Sequence, residues 1–271
     1  MSINRSFFGL SLLLVGTLSC YGWGQKGHDV VAYVAENHLT PATTQAVDSI
    51  LNGRSMVYWS NWLDNASHND EYAYTKTWHY KNIDEGVKYL NARVNPDGDI
   101  VTALREQIKI LSSEDTSLDK KNLAMKIFVH LMGDLHQPMH MGHSSDRGGN
   151  KINVRYFGRS SNLHSIWDSA LLESAHKWSY TEWQQQIDGL RAEDEALLVS
   201  GNINDWGSKC YDVAKVVYNY FPEGKNVSYD EVADWAPVIE DQLLMGGLRL
   251  AHVLNSIFDP AYVNAKSASE F

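Results

Sequence analysis

Cysteine is nearly absent. The 271 residues contain two, Cys20 and Cys210, so a disulfide framework of the kind that staples small secreted domains is excluded. Cys210 lies in a helical pattern and reads as a core residue. A basic surplus is missing too: 23 Lys and Arg stand against 33 Asp and Glu, for a formal charge of −10. A surface that grips duplex nucleic acid through Lys and Arg needs the opposite balance. Nucleic acid stays open as a substrate only where bound cations supply positive charge locally. Long apolar runs are scarce. Residues 7–18 form an apolar stretch too short to span a bilayer, and no later run is long enough. No linker, internal repeat or low-complexity tract interrupts the chain, so one domain is the expectation.

The short apolar stretch has a different use. Arg5 precedes it, and the small residues Cys20 and Gly22 follow at the −3 and −1 positions of a cut before Trp23. Residues 1–22 therefore read as a secretory signal, with 23–271 as the mature domain, secreted or periplasmic. A lipoprotein reading, with Cys20 carrying the lipid, competes with it; Thr17-Leu18-Ser19 makes a poor lipobox. Asn65-Ala-Ser67 and Asn226-Val-Ser228 match the glycosylation sequon, which matters only in a eukaryotic host.

What remains is mostly helical periodicity. Val30, Val31, Val34 and Ala35 share a face. Thr40 and Pro41 mark a helix start and Gly53 a stop. Val101, Leu104, Ile108 and Leu111 repeat at helical spacing, as do Leu123, Ile127 and Leu131. Further helices are expected over residues 180–198, 211–220 and 229–258, with Pro237 either kinking the last or setting its start. Gly247 falls on its apolar face and marks a close packing point. Residues 152–157 are the best candidate for a short extended piece. The expected fold class is mainly α, a single helical domain with few short strands.

Abundance lies in histidine, with 11 residues, and in aromatics, with 9 Trp and 14 Tyr. In His130-Leu-Met-Gly-Asp134-Leu-His136-Gln-Pro138-Met-His140, His130 and Asp134 are four apart and share a helix face. Pro138 should end or kink that helix, freeing His140 to reach a different ion. His136 points elsewhere and reads as structural. His164-Ser-Ile-Trp-Asp168 repeats the four-residue spacing. His140, His164 and Asp168 are enough protein ligands for an open zinc site. At a processed N-terminus, the amine and carbonyl of Trp23 can chelate an ion, with His28 nearby. Asp64 and His79, each beside an aromatic, are weaker candidates alone. A lone histidine is more often a satisfied core residue than a ligand. Two His-x-x-x-Asp pairs with His140 beyond the proline are hard to explain as packing, because buried unpaired polar groups are costly. His38, His68, His143, His176 and His252 keep the structural or surface reading.

These motifs, in this order and with Trp62-Leu-Asp64, Trp78-His79-Tyr80, Asp146-Arg-Gly-Gly-Asn150 and Asn162-Leu-His164 among them, resemble the zinc-dependent single-strand nuclease and 3′-nucleotidase family of fungi, plants and bacteria. The match is dense from Trp23 to Asp168; beyond it there is only a compatible helical pattern. The resemblance implies a trinuclear zinc cleft. Asp64, His79, His130 and Asp134 would hold one ion. Asp134 would bridge to a second, held also by Trp23 and His28, and His140, His164 and Asp168 would hold the third. It implies that Asp64 and Asp134 are the catalytic carboxylates. A zinc-activated water would attack phosphorus, leaving 5′-phosphate products from single-stranded DNA, RNA and 3′-nucleotides. Three Zn²⁺ would return six of the charge units the chain lacks, in one cleft. Tyr80 is the stacking candidate for a base; whether Asn82 or Asp84 reads it stays open. Fungal members commonly carry an Arg where Ser67 stands, and their disulfides have no counterpart. A monomer without a membrane span is expected. A zinc-dependent phospholipase C-like phosphodiesterase is the alternative, from the same superfamily.

Overall fold

A computed structural model describes residues 23–189, 192–262 and 266–271. The expected signal 1–22, with Arg5 and Cys20, lies outside the described residues. The chain is mainly helical. In order come α1 (Gln25–Asn37), α2 (Pro41–Ile50), the short α3 (Met56–Trp59) and α4 (Trp62–Ala66), then α5 (Ile100–Ser112) and α6 (Leu118–Asp134). After them follow α7 (Leu163–Ser165), α8 (Leu171–Ala175), α9 (Tyr180–Ile187), α10 (Ala192–Leu198), α11 (Ile203–Tyr220) and α12 (Tyr229–Phe258). No helix among the described residues is long and apolar enough to cross a membrane.

The local signals explain most boundaries. Thr40 accepts from the Thr43 amide and Pro41 opens α2, as its fixed φ allows. Gly53, at φ +71°, donates to Asp48 O just past the end of α2. The apolar stripe of α1, Val30, Val31, Val34 and Ala35, is wholly buried. It packs on α12, where Gly246 and Gly247 meet Val31 and Val34. A Cβ added at Gly247 would collide with Val34, so the two backbones approach more closely than a larger residue permits. Buried side chains of α5, α6, α11 and α12 join α1 in one core. Cys210 is buried within it, and burial pushes its thiol pKa up.

Two expectations needed correction, and one of the two readings of Pro237 is excluded. The helix expected over 180–198 is two, because Asp188 ends α9 and its carboxylate is taken by His38 and Gln184. The helix expected from 211 begins at Ile203, where Asn202 and Asp205 form a capping box. Pro237 neither starts nor ends α12, which runs through it from a Ser228–Glu231 box.

The extended piece is β1 (Asn153–Tyr156). It pairs antiparallel with β2 (Arg159–Asn162) and parallel with β3 (Asn226–Val227), in the order β2-β1-β3. Phe157 and Gly158, at φ 47° and 77°, make the two-residue turn, the left-handed pair that a tight hairpin demands. This hairpin delivers the chain to Asn162, whose side chain accepts from Ser165 N (2.8 Å) and starts α7. The sheet thereby sets the position of His164.

Candidate metal centre

The end of α6 is the foundation. His130 and Asp134, one turn apart, are wholly buried. The His28 ring of α1 stacks on the His130 ring at 4.0 Å. Room for it exists because residue 133 is glycine; a Cβ there would lie 2.7 Å from His28 Nδ1. Asp64 arrives from α4, and His79 from the loop before α5. His130 Nε2 lies 3.4 Å from Asp64 Oδ1 and 3.2 Å from Asp134 Oδ2. His79 Nδ1 lies 3.0 Å from Asp134 Oδ2 and 3.7 Å from Asp64 Oδ1. The other oxygen, Asp134 Oδ1, is 3.4 Å from His28 Nε2. Asp134 thus presents one oxygen to Asp64's group and the other to His28.

A second group stands beside the first. Pro138 opens a single 3₁₀ turn, Pro138–Met141, which directs His140 away from the α6 stripe. His140 stacks on His164 with ring centroids 5.2 Å apart. Asp168 follows on a π-helical turn, Ile166–Ala170, and its Oδ2 lies 3.3 Å from His164 Nε2. One ligand atom from each of these three residues lies within 4.8 Å of the others. The two groups are tied together by backbone. The Lys81 amide donates to His140 O and the Ile83 amide to Gly142 O, both at 2.8 Å. His140 Nδ1 in turn donates to His79 O (2.5 Å).

Backbone carbonyls orient the rings. Ser60 O accepts from His130 Nδ1 and Gly148 O from His164 Nδ1, each at 2.7 Å. In each ring this turns Nε2 toward the carboxylates, the second-sphere arrangement of metal-ligating histidines. Gln137 Nε2 donates to Asp168 Oδ1. Neither Ser60, Gly148 nor Gln137 was singled out from the sequence. Gln137 stood inside the quoted motif, but a neutral amide carries no ligand signal by type or spacing.

Several polar atoms are left over. His28 Nδ1 and Nε2, His79 Nε2 and Asp134 Oδ1 are buried without a hydrogen bond, at about 1–3 kcal/mol for each unsatisfied group. The electrostatics run the same way. Burial, with the charge of His130 next, lowers the His28 pKa and so favours the neutral imidazole, the form a metal needs. Burial pushes the Asp168 carboxyl well above the usual range, and the Gln137 hydrogen bond offsets only part of this. Burial opposes ionisation of Asp134, but His130 and His140 more than reverse it and hold the carboxyl well below its usual value. Burial likewise opposes charge on His130, and Asp134 and Asp64 override it, raising that pKa well above the usual value. The cluster thus favours positive charge where the carboxylates converge, the place a cation would take. Imidazole nitrogens and carboxylate oxygens are a donor set that zinc accepts, so the residues fit such an ion.

The remaining candidates fall nearby. The Trp23 indole is fully buried, and the Gly24 amide next to it donates to Asp168 O (2.6 Å). Tyr80, Asn82 and Asp84 line one cavity of about 600 Å³. A Cβ added at Gly148 would lie 3.3 Å from Asn82 Oδ1 and 3.4 Å from His164 Nδ1, so Asn82 borders the second ligand group. A larger cavity, about 1050 Å³, lies on the other side of Val87 and Asn91 and contains none of the clustered ligands; volume alone does not mark the site. Ser67 is buried with its hydroxyl on Asp64 O (3.0 Å) and supplies no cation. His136 is structural: Nδ1 donates to Met132 O and Nε2 accepts from Arg249, both at 2.8 Å. Burial, helped by the Arg249 charge, lowers its pKa to about 3. His143 stacks on Tyr218 (4.1 Å), outside both groups.

Comparison with known proteins identifies the family. The family model described as S1/P1 Nuclease matches residues 23–259. Endonuclease 4 of Arabidopsis thaliana is 30% identical over 285 residues, covering 94% of this chain and 95% of its own. Nuclease P1 of Penicillium citrinum is 28% identical over 275 residues, covering 87% and 97%. Nuclease S1 of Aspergillus oryzae is 33% identical over 164 residues, covering 57% and 56%. With the match running through every residue of both ligand groups, this chain belongs to the S1/P1 nuclease family.

Proposed function

We propose that the chain is a secreted, zinc-dependent endonuclease and 3′-nucleotidase that cleaves single-stranded DNA and RNA to products ending in 5′-phosphate. The observation that carries the reading is Asp134, buried and facing a different ligand group with each carboxylate oxygen. Asp64, His79, His130 and Asp134 would hold one ion. Asp134, His28 and the amine and carbonyl of Trp23 would hold the second, and His140, His164 and Asp168 the third. Zinc bound there supplies Lewis acidity, lowering the pKa of water and stabilising charge on phosphate oxygen.

The chain's own part is positioning. Ser60 and Gly148 carbonyls fix the His130 and His164 rings, and Gln137 fixes Asp168. Asp64, less deeply buried than Asp134, is the carboxylate nearer to substrate. Tyr80 offers a ring to one unstacked base, and Asn82 and Asp84 offer polar edges in the same cavity. A paired base cannot present its face this way, which favours single strands. Processing before Trp23 creates the amine ligand, so secretion and activation are one event in this reading, and lipidation at Cys20 is incompatible with it. The enzyme is read as a monomer.

The test uses protein that starts at Trp23, loaded with zinc, assayed on single-stranded DNA, a 3′-nucleotide and phosphatidylcholine. Hydrolysis of the first two is expected. Hydrolysis of the lipid alone would make the chain a phospholipase C-like enzyme and sink the proposal. Asp134→Ala should lose two zinc ions; loss of one removes the bridging role. One extra residue before Trp23 should cost one ion and most of the activity.

A further inference from the structure

Beside the ligand groups, cations and aromatic rings interleave along the surface. Arg54 lies over the Tyr58 ring, guanidinium carbon to centroid 4.9 Å. Tyr58 meets Trp59 edge-on at 4.8 Å. The Lys126 ammonium sits 3.6 Å from the centre of Trp59 and 5.4 Å from that of Trp62. Trp62 then meets Tyr72 edge-on at 5.0 Å. Each ring or cation contacts the next. Tyr58 is 59% exposed, and Arg54 is exposed as well. Lys126 pairs with no carboxylate among the described residues, although the chain carries ten more acids than bases.

The run shares its helices with the metal centre. Lys126 is one helical turn before His130 on the same stripe of α6. Trp59 precedes Ser60, whose carbonyl orients His130, and Trp62 shares α4 with Asp64. From there the run leads outward to Arg54. Cations also sit over rings in the packed core, as Arg249 does over Trp206, but here they alternate with rings along exposed and half-buried positions. A single-stranded polynucleotide uses both, because every base has a π-face and every linkage a negative charge. Ser67 supplies no cation beside Asp64, so phosphates flanking the cut need one from elsewhere.

We propose that Arg54, Tyr58, Trp59, Lys126, Trp62 and Tyr72 form a track that binds the single strand flanking the scissile phosphate. The proposal rests on the nuclease reading and adds a second binding element that 3′-mononucleotides do not reach. Bases stack on exposed ring faces beginning with Tyr58, and Lys126 and Arg54 contact phosphates.

The test compares zinc-loaded wild type with Arg54→Gln/Tyr58→Ser, two exposed positions, and separately with Lys126→Gln. KM for a long single-stranded oligonucleotide should rise about fivefold or more with the double variant. KM and kcat for a 3′-nucleotide should not change. The slope of log KM against log salt should fall by about 0.7 for each cation removed, a readout that a merely structural role does not move. Active variants whose two KM values keep the wild-type ratio and salt slope overturn the track and leave the nuclease reading intact. A wild type that hydrolyses neither substrate overturns both.

Discussion

Gln137 divides its amide between two tasks. Its nitrogen holds Asp168 and its oxygen accepts from the Met139 amide (2.5 Å), so one side chain shapes the 3₁₀ turn and aims a candidate ligand. Gln137→Leu should keep the fold and lower zinc affinity at the His140–His164–Asp168 group, or activity, by about 10–100-fold. Zinc titration checks this, and unchanged affinity would remove the aiming role. His38 shows a titratable contact away from the centre, with Nε2 2.9 Å from Asp188 Oδ1 and Nδ1 3.3 Å from Glu195 Oε1. The Asp188 hydrogen bond raises its pKa above 6.5, with burial opposing in part. A raised histidine stabilises fully below its unfolded value and loses the contribution as pH climbs through the folded one. The melting-temperature gap between wild type and His38→Gln should be widest below pH 6.5 and close above it. Solvent screening keeps the effect under about 1 kcal/mol. A gap that widens with pH would contradict the assignment. At this scale the sequence was legible where residue type implies chemistry, as at His130, Asp134, His164 and Asp168. Ser60 and Gly148 act through backbone carbonyls, which no residue type announces.

Among elements, the seam between α1 and α12 matters because α1 carries His28. Gly247 lets the helices close on Val34, and overpacking such a contact costs about 1–3 kcal/mol. Gly247→Ala should lower the urea midpoint accordingly and loosen zinc retention; a midpoint equal to wild type would mean the seam has slack. Periodicity revealed α1, α5, α6 and α12, since each has a long apolar stripe against the core. It did not reveal the break between α9 and α10, because Asp188 is drawn out of helix by His38, a partner remote in the chain. Nor did it reveal the upstream start of α11, where polar residues at the cap interrupt the apolar pattern.

For the whole molecule, the ligands come from α1, α4, the loop before α5, α6, the 3₁₀ turn and the α7 region. Ions bound to all of them would act as clips between elements, in a chain with no described disulfide. Each site kept a hundredfold above its Kd adds about 2.7 kcal/mol, so EDTA should lower the melting temperature by roughly 5 °C or more and abolish hydrolysis in step. Calorimetry with and without chelator measures this, and a melting temperature indifferent to EDTA would refute the cross-linking role. The sequence by itself determined the candidate donors and the pairs His130–Asp134 and His164–Asp168, because four-residue spacing on a helix is local geometry. Only the tertiary structure decided that His28, Asp64 and His79 converge on the first pair, that His140 joins the second, and that Asp134 faces two groups at once. Those meetings depend on how α1 and α4 pack against α6, and on residues 81–83 pairing along 140–142. Such contacts join residues far apart in the chain, and no spacing rule encodes them.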